Sequence, residues 1–452
     1  MNGLFAKNKV LLLLATTVLL FGSGCFVAEN PYSGLAPGYW RAVLTLDPTA
    51  ASLTQGGEAT DEEIPDRTNE IIEGNLPFNF EVIYENESKF YIEIINGKER
   101  IRVDDITIGR DKRIAKDTIL INFPVFDSYI TGIYYENIIQ GEWVVTNRNT
   151  DYRIPFVARH GLAHRFTKMK EAPQMDVSGR WEVTFNPGEG ETEASKGVGE
   201  FEQDGNKLTG TFMTETGDHR FLEGTIQGDK LYLSAFDASH AFLFEAKIQP
   251  DGTLFGTWWS GNHYKTTWTA RRNSEATLTD PNALTYLKEG YDKFSFAFEN
   301  PEGQTISLED PKYRGKVKII QIMGTWCPNC RDETEFLLEY LNNHPTENLA
   351  VIALAFERHK DKDKALAAIR KYKDFFGMDY EILYAGTSDK AEASQALPML
   401  NRVLSFPTMI FVDRQNNVRR IHTGFAGPAT SEYATFKQEF ESFVQELLVE
   451  EM

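Results

Sequence analysis

Ile319-Ile320-Gln321-Ile322-Met323-Gly324-Thr325-Trp326-Cys327-Pro328-Asn329-Cys330-Arg331-Asp332-Glu333 decides how the C-terminal part of this 452-residue chain folds. An apolar, β-branched run ends at Met323, a short turn follows, and a helical pattern begins at the first cysteine. Pro328 suits the first helical turn, where no N–H partner is required. A helix N-terminus presents unpaired N–H groups and a partial positive charge, which favour a thiolate. Cys330 falls one turn deeper, within reach of the first sulfur. The asymmetry assigns the roles: Cys327 attacks and Cys330 resolves the mixed disulfide. Trp326, beside the nucleophile, is placed to shield it.

Working outward, strand and helix patterns alternate to the C-terminus. Lys316 to Met323 reads as a strand and Cys327 to Asn342 as a helix with Phe336, Leu337, Tyr340 and Leu341 on one face. Ala350 to Phe356 is an apolar strand, Lys364 to Phe376 a helix, and Ser388 to Leu404 mostly helical. Thr408 to Asp413 and Val418 to Thr423 pair around Gln415-Asn416-Asn417, and Tyr433 to Leu448 is an amphipathic helix. Such alternation predicts a central sheet covered by helices. Residues 273–292 read as a linker with one short helix from Pro281 to Lys288, and 293–452 as the α/β domain.

Upstream, residues 38–272 read almost wholly as strands. Alternating aromatic and β-branched residues (Asn79 to Tyr84, Phe90 to Ile94, Leu231 to Leu233) are punctuated by Asn-Gly at 96–97 and Asp-Gly at 204–205 and 251–252. An antiparallel sandwich or barrel is expected. Gly38-Tyr39-Trp40 and Gly141-Glu142-Trp143 bracket one segment, Gly179-Arg180-Trp181 and Gly256-Thr257-Trp258 another. The spans are 103 and 77 residues, and the acidic, strand-poor stretch from Ala50 to Asn75 matches the difference of 26. Phe126-Asp127 and Phe236-Asp237 fall in comparable places. Either the region is doubled, as units of about 38–170 and 176–272, or the match is chance. Trp40, Trp143, Trp181, Trp258, Trp259 and Trp268 read as β-core.

The N-terminus reads as an export signal, residues 1–24. Lys7 and Lys9 precede the uncharged run Val10 to Phe21, too short at 12 residues to span a bilayer but of the length of a secretory signal core. Gly22-Ser23-Gly24-Cys25 follows and resembles a bacterial lipobox, which would acylate Cys25, anchor the chain to a membrane and leave residues 25–37 as a tether. Gly22 departs from that pattern, which prefers Leu; the other reading is plain cleavage leaving a free thiol. Cys25, Cys327 and Cys330 are the only cysteines. With Cys25 acylated, a single Cys-x-x-Cys pair remains in a compartment where disulfides persist, and it reads as chemistry rather than as a staple.

Ser405-Phe406-Pro407-Thr408, about eighty residues after the cysteines and just before a strand, resembles the cis-proline site of the thioredoxin superfamily. That resemblance implies a cis Pro407 facing the cysteine pair, with the Phe406 backbone exposed as an edge for a substrate peptide. More narrowly, Phe294 to Leu448 is similar to the TlpA/ResA branch of membrane-tethered thioredoxins. Gln321 stands where thioredoxin has a buried aspartate, and Glu333, three residues after Cys330, stands where that branch carries a glutamate implicated in proton transfer. The branch usually has proline immediately before the second cysteine; here Asn329 stands there and the proline is at 328. Lipoproteins with a Trp-Cys-Pro-Asn-Cys motif and a leading β region occur in Bacteroidetes-like bacteria.

The resemblance implies a multidomain envelope thiol–disulfide oxidoreductase facing the periplasm. It would act as a reductase on protein disulfides and be recharged by a membrane electron donor of the thiol-reductase type. An oxidase or isomerase would use the same residues. In a different class, the β region would be the main module, binding a ligand or partner. The net charge of −19 argues against nucleic acid. No cofactor beyond the Cys327–Cys330 couple is expected, and no metal. His344, His359 and His422 lack the spacing to complete a zinc site with the cysteines. His160 and His164 are spaced i, i+4, but Gly161 and the Phe156-Val157 pattern oppose a helix there. A peroxidase frame, Pro-x-x-x-Thr-x-x-Cys, is absent.

Overall fold

The computed structural model describes residues 32, 34–47, 68–148, 152–187 and 194–450. The signal segment, Cys25, and most of the stretch from Ala50 to Asn75 lie outside the described residues. Three sheets follow one another along the chain. The first holds Gly38–Thr45 (β1), Asn75–Asn86 (β2), Lys89–Asn96 (β3), Glu99–Val103 (β4), Ile106–Asp111 (β5), Lys116–Phe123 (β6), Ser128–Tyr135 (β7), Ile138–Val145 (β8) and Arg153–His160 (β9). Their order is β4-β3-β2-β1-β9-β8-β7-β6-β5. The edge strands β4 and β5 are joined by Asp104 and Asp105 alone, so the sheet must curl until its edges meet, giving a half-barrel around Trp40, Phe78, Phe80 and Trp143.

The second sheet holds Gly179–Phe185 (β10), Ser195–Asp204 (β11), Lys207–Thr214 (β12), Gly217–Asp218 (β13), Leu222–Gln227 (β14), Lys230–Phe236 (β15), Ala241–Ile248 (β16), Leu254–Ser260 (β17) and Tyr264–Arg272 (β18). The order is β11-β10-β18-β17-β16-β15-β14-β12-β13, and β11 also pairs with β12, which closes a barrel. Alternating side chains fill its interior with Trp181, Phe212, Phe244 and Trp268.

Both sheets pair their first strand with their second and their last. Gly38 and Gly179 open β1 and β10 at positive φ, and each following tryptophan donates its indole N–H to the carbonyl four residues back, Trp40 to Ala36 and Trp181 to Val177, both at 2.9 Å. Phe126-Asp127 follows β6, and Phe236-Asp237 spans the end of β15 and its turn into β16, each after the sixth strand of its sheet.

The third sheet is mixed. Ala297–Glu299 (β19), Thr305–Ser307 (β20), Val317–Met323 (β21), Leu349–Glu357 (β22), Glu381–Thr387 (β23), Thr408–Val412 (β24) and Val418–Thr423 (β25) run in the order β20-β19-β23-β22-β21-β24-β25. The central β21 is buried throughout and lies parallel to β22 and antiparallel to β24. Helices Pro281–Leu284 (α1), Pro328–Asn343 (α2), Lys362–Phe376 (α3), Lys390–Ala396 (α4) and Tyr433–Val449 (α5) accompany it. Two helices are shorter than the sequence pattern predicts. The helix expected over Ser388 to Leu404 stops at Ala396 because Pro398 cannot continue it, although Leu397, Leu400 and Val403 are buried. The helix expected from Pro281 to Lys288 ends at Leu284. No helix among the described residues is long and apolar enough to cross a membrane.

Candidate active site

Cys327 is the N-cap of α2, with Pro328 in its first turn. Its Sγ accepts from the Cys330 N–H at 3.3 Å and reaches the Phe406 carbonyl at 3.3 Å. Both cysteines are free thiols; Cys327 is 6% exposed and Cys330 fully buried. Burial and the neighbouring Cys327 push the Cys330 thiol well above the ordinary range, so its proton must be taken by a base. The Phe406–Pro407 peptide is cis. The rings of Trp326 and Phe406 meet edge to face at 5.8 Å over the thiols, and the Trp326 indole is tied to the Phe356 carbonyl at 2.9 Å.

Glu333 is fully buried one turn beyond Cys330, within electrostatic reach of its sulfur. Gln321 is equally buried, but its amide N–H donates to Thr334 Oγ1 at 3.1 Å and the Cys330 carbonyl at 3.4 Å. Neither Glu333 oxygen has a hydrogen-bond partner among the described residues. Burial, offset only in part by the nearby Gln321 amide, pushes its carboxyl up to about 8. A second buried carboxyl, Glu357 at the end of β22, accepts from the Thr325 N–H at 3.0 Å and hydroxyl at 2.7 Å; burial raises it to about 7. Glu357 thus fixes the turn that leads into Trp326 and Cys327. Nothing in the one-dimensional pattern marked it, because it ends an apolar strand as an ordinary polar terminus would.

The β region reaches over this motif. The Ser405 hydroxyl donates to the Thr216 carbonyl at 2.7 Å, the Asn329 amide to the Asp218 carbonyl at 3.1 Å, and the Ser239 hydroxyl to the Trp326 carbonyl at 2.8 Å. Arg220, buried at the end of the same turn, donates to Asp332 at 2.6 Å, to the Pro328 carbonyl at 3.3 Å, and to Glu99 of β4. Asp237 lies 3.6 Å from its Nε. Burial raises Asp332 to about 7 in spite of Arg220. The turn after β6 also meets the C-terminal domain, where Asp127 binds His359 at 2.9 Å and Lys371 at 2.6 Å, while the adjacent Ser128 hydroxyl donates to the Ala238 carbonyl of the second β unit at 2.5 Å.

Trp326, Cys327, Cys330, Glu333, Phe406 and Pro407 therefore stand together, and Cys25 lies outside the described residues. His160 and His164 do not form a ligand pair, since their Nε2 atoms face the carbonyls of Pro37 at 2.9 Å and Thr68 at 2.8 Å.

The chain matches the redoxin family over residues 292–436. It is 21% identical over 138 residues to the thiol-disulfide oxidoreductase ResA of Bacillus subtilis, covering 30% of this chain and 69% of that protein. The ResA of Halalkalibacterium halodurans is 20% identical over 137 residues, again 30% and 69%. A solved thiol:disulfide interchange protein of the thioredoxin family from Chlorobium tepidum aligns at 20% identity, covering 36% of this chain and 98% of that one, with a TM-score of 0.27. Behind an all-β N-terminal region, the C-terminal part of the chain is similar to TlpA/ResA-like thiol–disulfide oxidoreductases of thioredoxin fold.

Proposed function

We propose that this protein is an envelope thiol–disulfide reductase, held at a membrane through lipid on Cys25, that reduces protein disulfides with Cys327 and Cys330. The observation that carries the reading is a partly covered dithiol at a helix N-terminus, with an unpartnered buried carboxyl behind it and the cis peptide before Pro407 in front. The Cys327 thiolate attacks one substrate sulfur; a Cys327–substrate bond forms as the substrate S–S bond breaks, and the released thiolate takes a proton. Cys330 then gives its proton to ionised Glu333 and attacks the Cys327 sulfur, releasing the second substrate thiol. The chain's dithiol becomes a disulfide, and a membrane electron donor of the thiol-reductase type returns two electrons and two protons. The cysteine couple is the redox centre, and the cycle uses no other cofactor.

The test uses the chain without residues 1–25, supplied with reductant and a protein disulfide. Cys327→Ser should abolish turnover and Cys330→Ser should accumulate a mixed disulfide. Full activity without trapping in Cys330→Ser would refute the assigned roles. The potential of the couple decides direction: roughly −270 mV suits a reductase and roughly −120 mV an oxidase. Membrane partition and palmitate labelling, both lost in Cys25→Ser, test the anchor.

A further inference from the structure

Two cations, Arg358 and Lys390, lie within electrostatic reach of the reactive sulfur, each with a second cation beside it, Arg148 and Arg402, and none of the four makes an ion pair among the described residues. Arg358, immediately after β22, lies with its guanidinium carbon 4.0 Å from the centroid of the Trp326 ring, beside the nucleophile. Arg148, following β8, approaches His263 Nε2 at 2.6 Å, and the other nitrogen of that ring meets the Tyr152 hydroxyl at 3.0 Å. The Arg148 Nε is buried without a hydrogen-bond partner. Lys390 opens α4, and Arg402 lies on the segment that leads into Phe406–Pro407; both are exposed. Arg358 and Lys390 each feel the charge of Cys327, Arg358 also that of Arg148, and Lys390 that of Arg402.

This clustering runs against the rest of the chain, which carries a net charge of −19 and pairs most of its buried arginine charge, as Arg220 does with Glu99, Asp332 and Asp237. Asp237 acts on Arg148 and Glu357 on Arg358 from a distance, but neither forms an ion pair with them, and like charges gathered without a close counterion favour a visiting anion. A single Cys327 thiolate does not account for four of them, because it already has the Cys330 N–H and the α2 N-terminus. Loops of the β region cover the Asn329 side of the motif, whereas Lys390 and Arg402 are exposed, Arg402 four residues before Phe406.

We propose that Arg148, Arg358, Lys390 and Arg402 form an anion-recognition rim that selects disulfides bearing a carboxylate next to the reacting sulfur. The idea rests on the reductase reading above and specifies its substrate class. The carboxylate would come from an acidic residue flanking a substrate cysteine or from a small dicarboxylate disulfide.

The test compares reduction by the full chain of three peptide disulfides that differ only in Glu, Gln or Lys beside the cysteine, together with glutathione disulfide and cystamine. Wild type should favour the Glu peptide over the Gln peptide by about fivefold, as two exposed ion pairs allow, with the Lys peptide slowest and the preference fading as salt is added. Lys390→Gln/Arg402→Gln should collapse the Glu-to-Gln ratio towards one. The control Lys437→Gln, on α5, should leave the ratio and the rates as they were. A preference seen only between glutathione disulfide and cystamine supports the rim and identifies a small-molecule source; one seen among the peptides identifies a polypeptide source. Equal wild-type rates on the Glu and Gln peptides, together with equal rates on glutathione disulfide and cystamine, overturn the inference. So does an equal loss on every substrate in the double variant, which would mean that the cations serve only the thiolate. Failure to reduce any of the five disulfides overturns the reductase reading instead.

Discussion

Replacing Glu333 by Gln should change the pH dependence of folding with a sign and size that follow from burial. The Glu333 carboxyl has no accessible surface and neither oxygen has a partner, and burial pushes it from 4.5 up to about 8. The folded state then holds this proton more tightly than the unfolded chain does. Its stabilising contribution is complete below about pH 4.5 and is lost as pH rises through about 8. At 1.36 kcal/mol per unit of pKa difference, the loss between pH 5 and pH 8.5 comes to about 4 kcal/mol. Gln cannot ionise, so Glu333→Gln should gain about that much on the wild type across the same window. Every α-helix among the described residues lies from Pro281 onward, so urea unfolding followed at the helical circular-dichroism band reports on this domain. The measurement is made on fully reduced protein, because Cys330 also titrates abnormally. Parallel pH profiles for the two proteins would mean that the carboxyl is hydrated, and would remove the basis for its role as a base. If the role holds, the variant gains stability at high pH yet exchanges disulfides more slowly, by roughly 10²-fold or more.

Arg220→Met strands Asp332, Asp237 and Glu99 without their buried partner, and should cost about 3–5 kcal/mol at pH 8, less at pH 5 where Asp332 is protonated; denaturant midpoints at the two pH values check this. Gly217→Ala would collide with the Asn329 side-chain amide at a positive φ of 137°, so the turn should lift from the motif. Cys327 should then alkylate faster, about tenfold for each 1.4 kcal/mol of docking lost, and an unchanged alkylation rate would show that the turn does not cover it. Asp127, which burial would raise, is held below its usual range by His359 and Lys371, so it stabilises above its unfolded value and that contribution is lost as pH falls through the lowered one. Asp127→Asn should therefore cost about 1.5–3 kcal/mol at pH 7 and nothing in strong acid, read from urea unfolding at each pH.

Local elements, and the cysteine pair that one of them presents, were legible in the sequence alone. Period-two alternation marks a strand whatever it packs on, and a proline after the first cysteine starts a helix whatever lies above it, so Cys327, Cys330 and the α2 start were legible from Ile319 to Glu333. The repeated Gly–x–Trp openings were legible too, because each needs only its own strand and the carbonyl four residues back. Only the tertiary structure decided that the turns Thr216 to Arg220 and Asp237 to His240 lie across the cysteine motif. Arg220 and Asp332 are 112 residues apart, and no periodicity links them. The emptiness around Glu333 was equally invisible in one dimension, because desolvation depends on what every neighbouring element fails to offer. Gln321, Thr334 and Tyr372 hydrogen-bond one another, so the Gln321 amide offsets the burial of the carboxyl only in part. Local sequence fixes where a group can point; the packing of distant segments fixes whether water, a counterion or nothing meets it there.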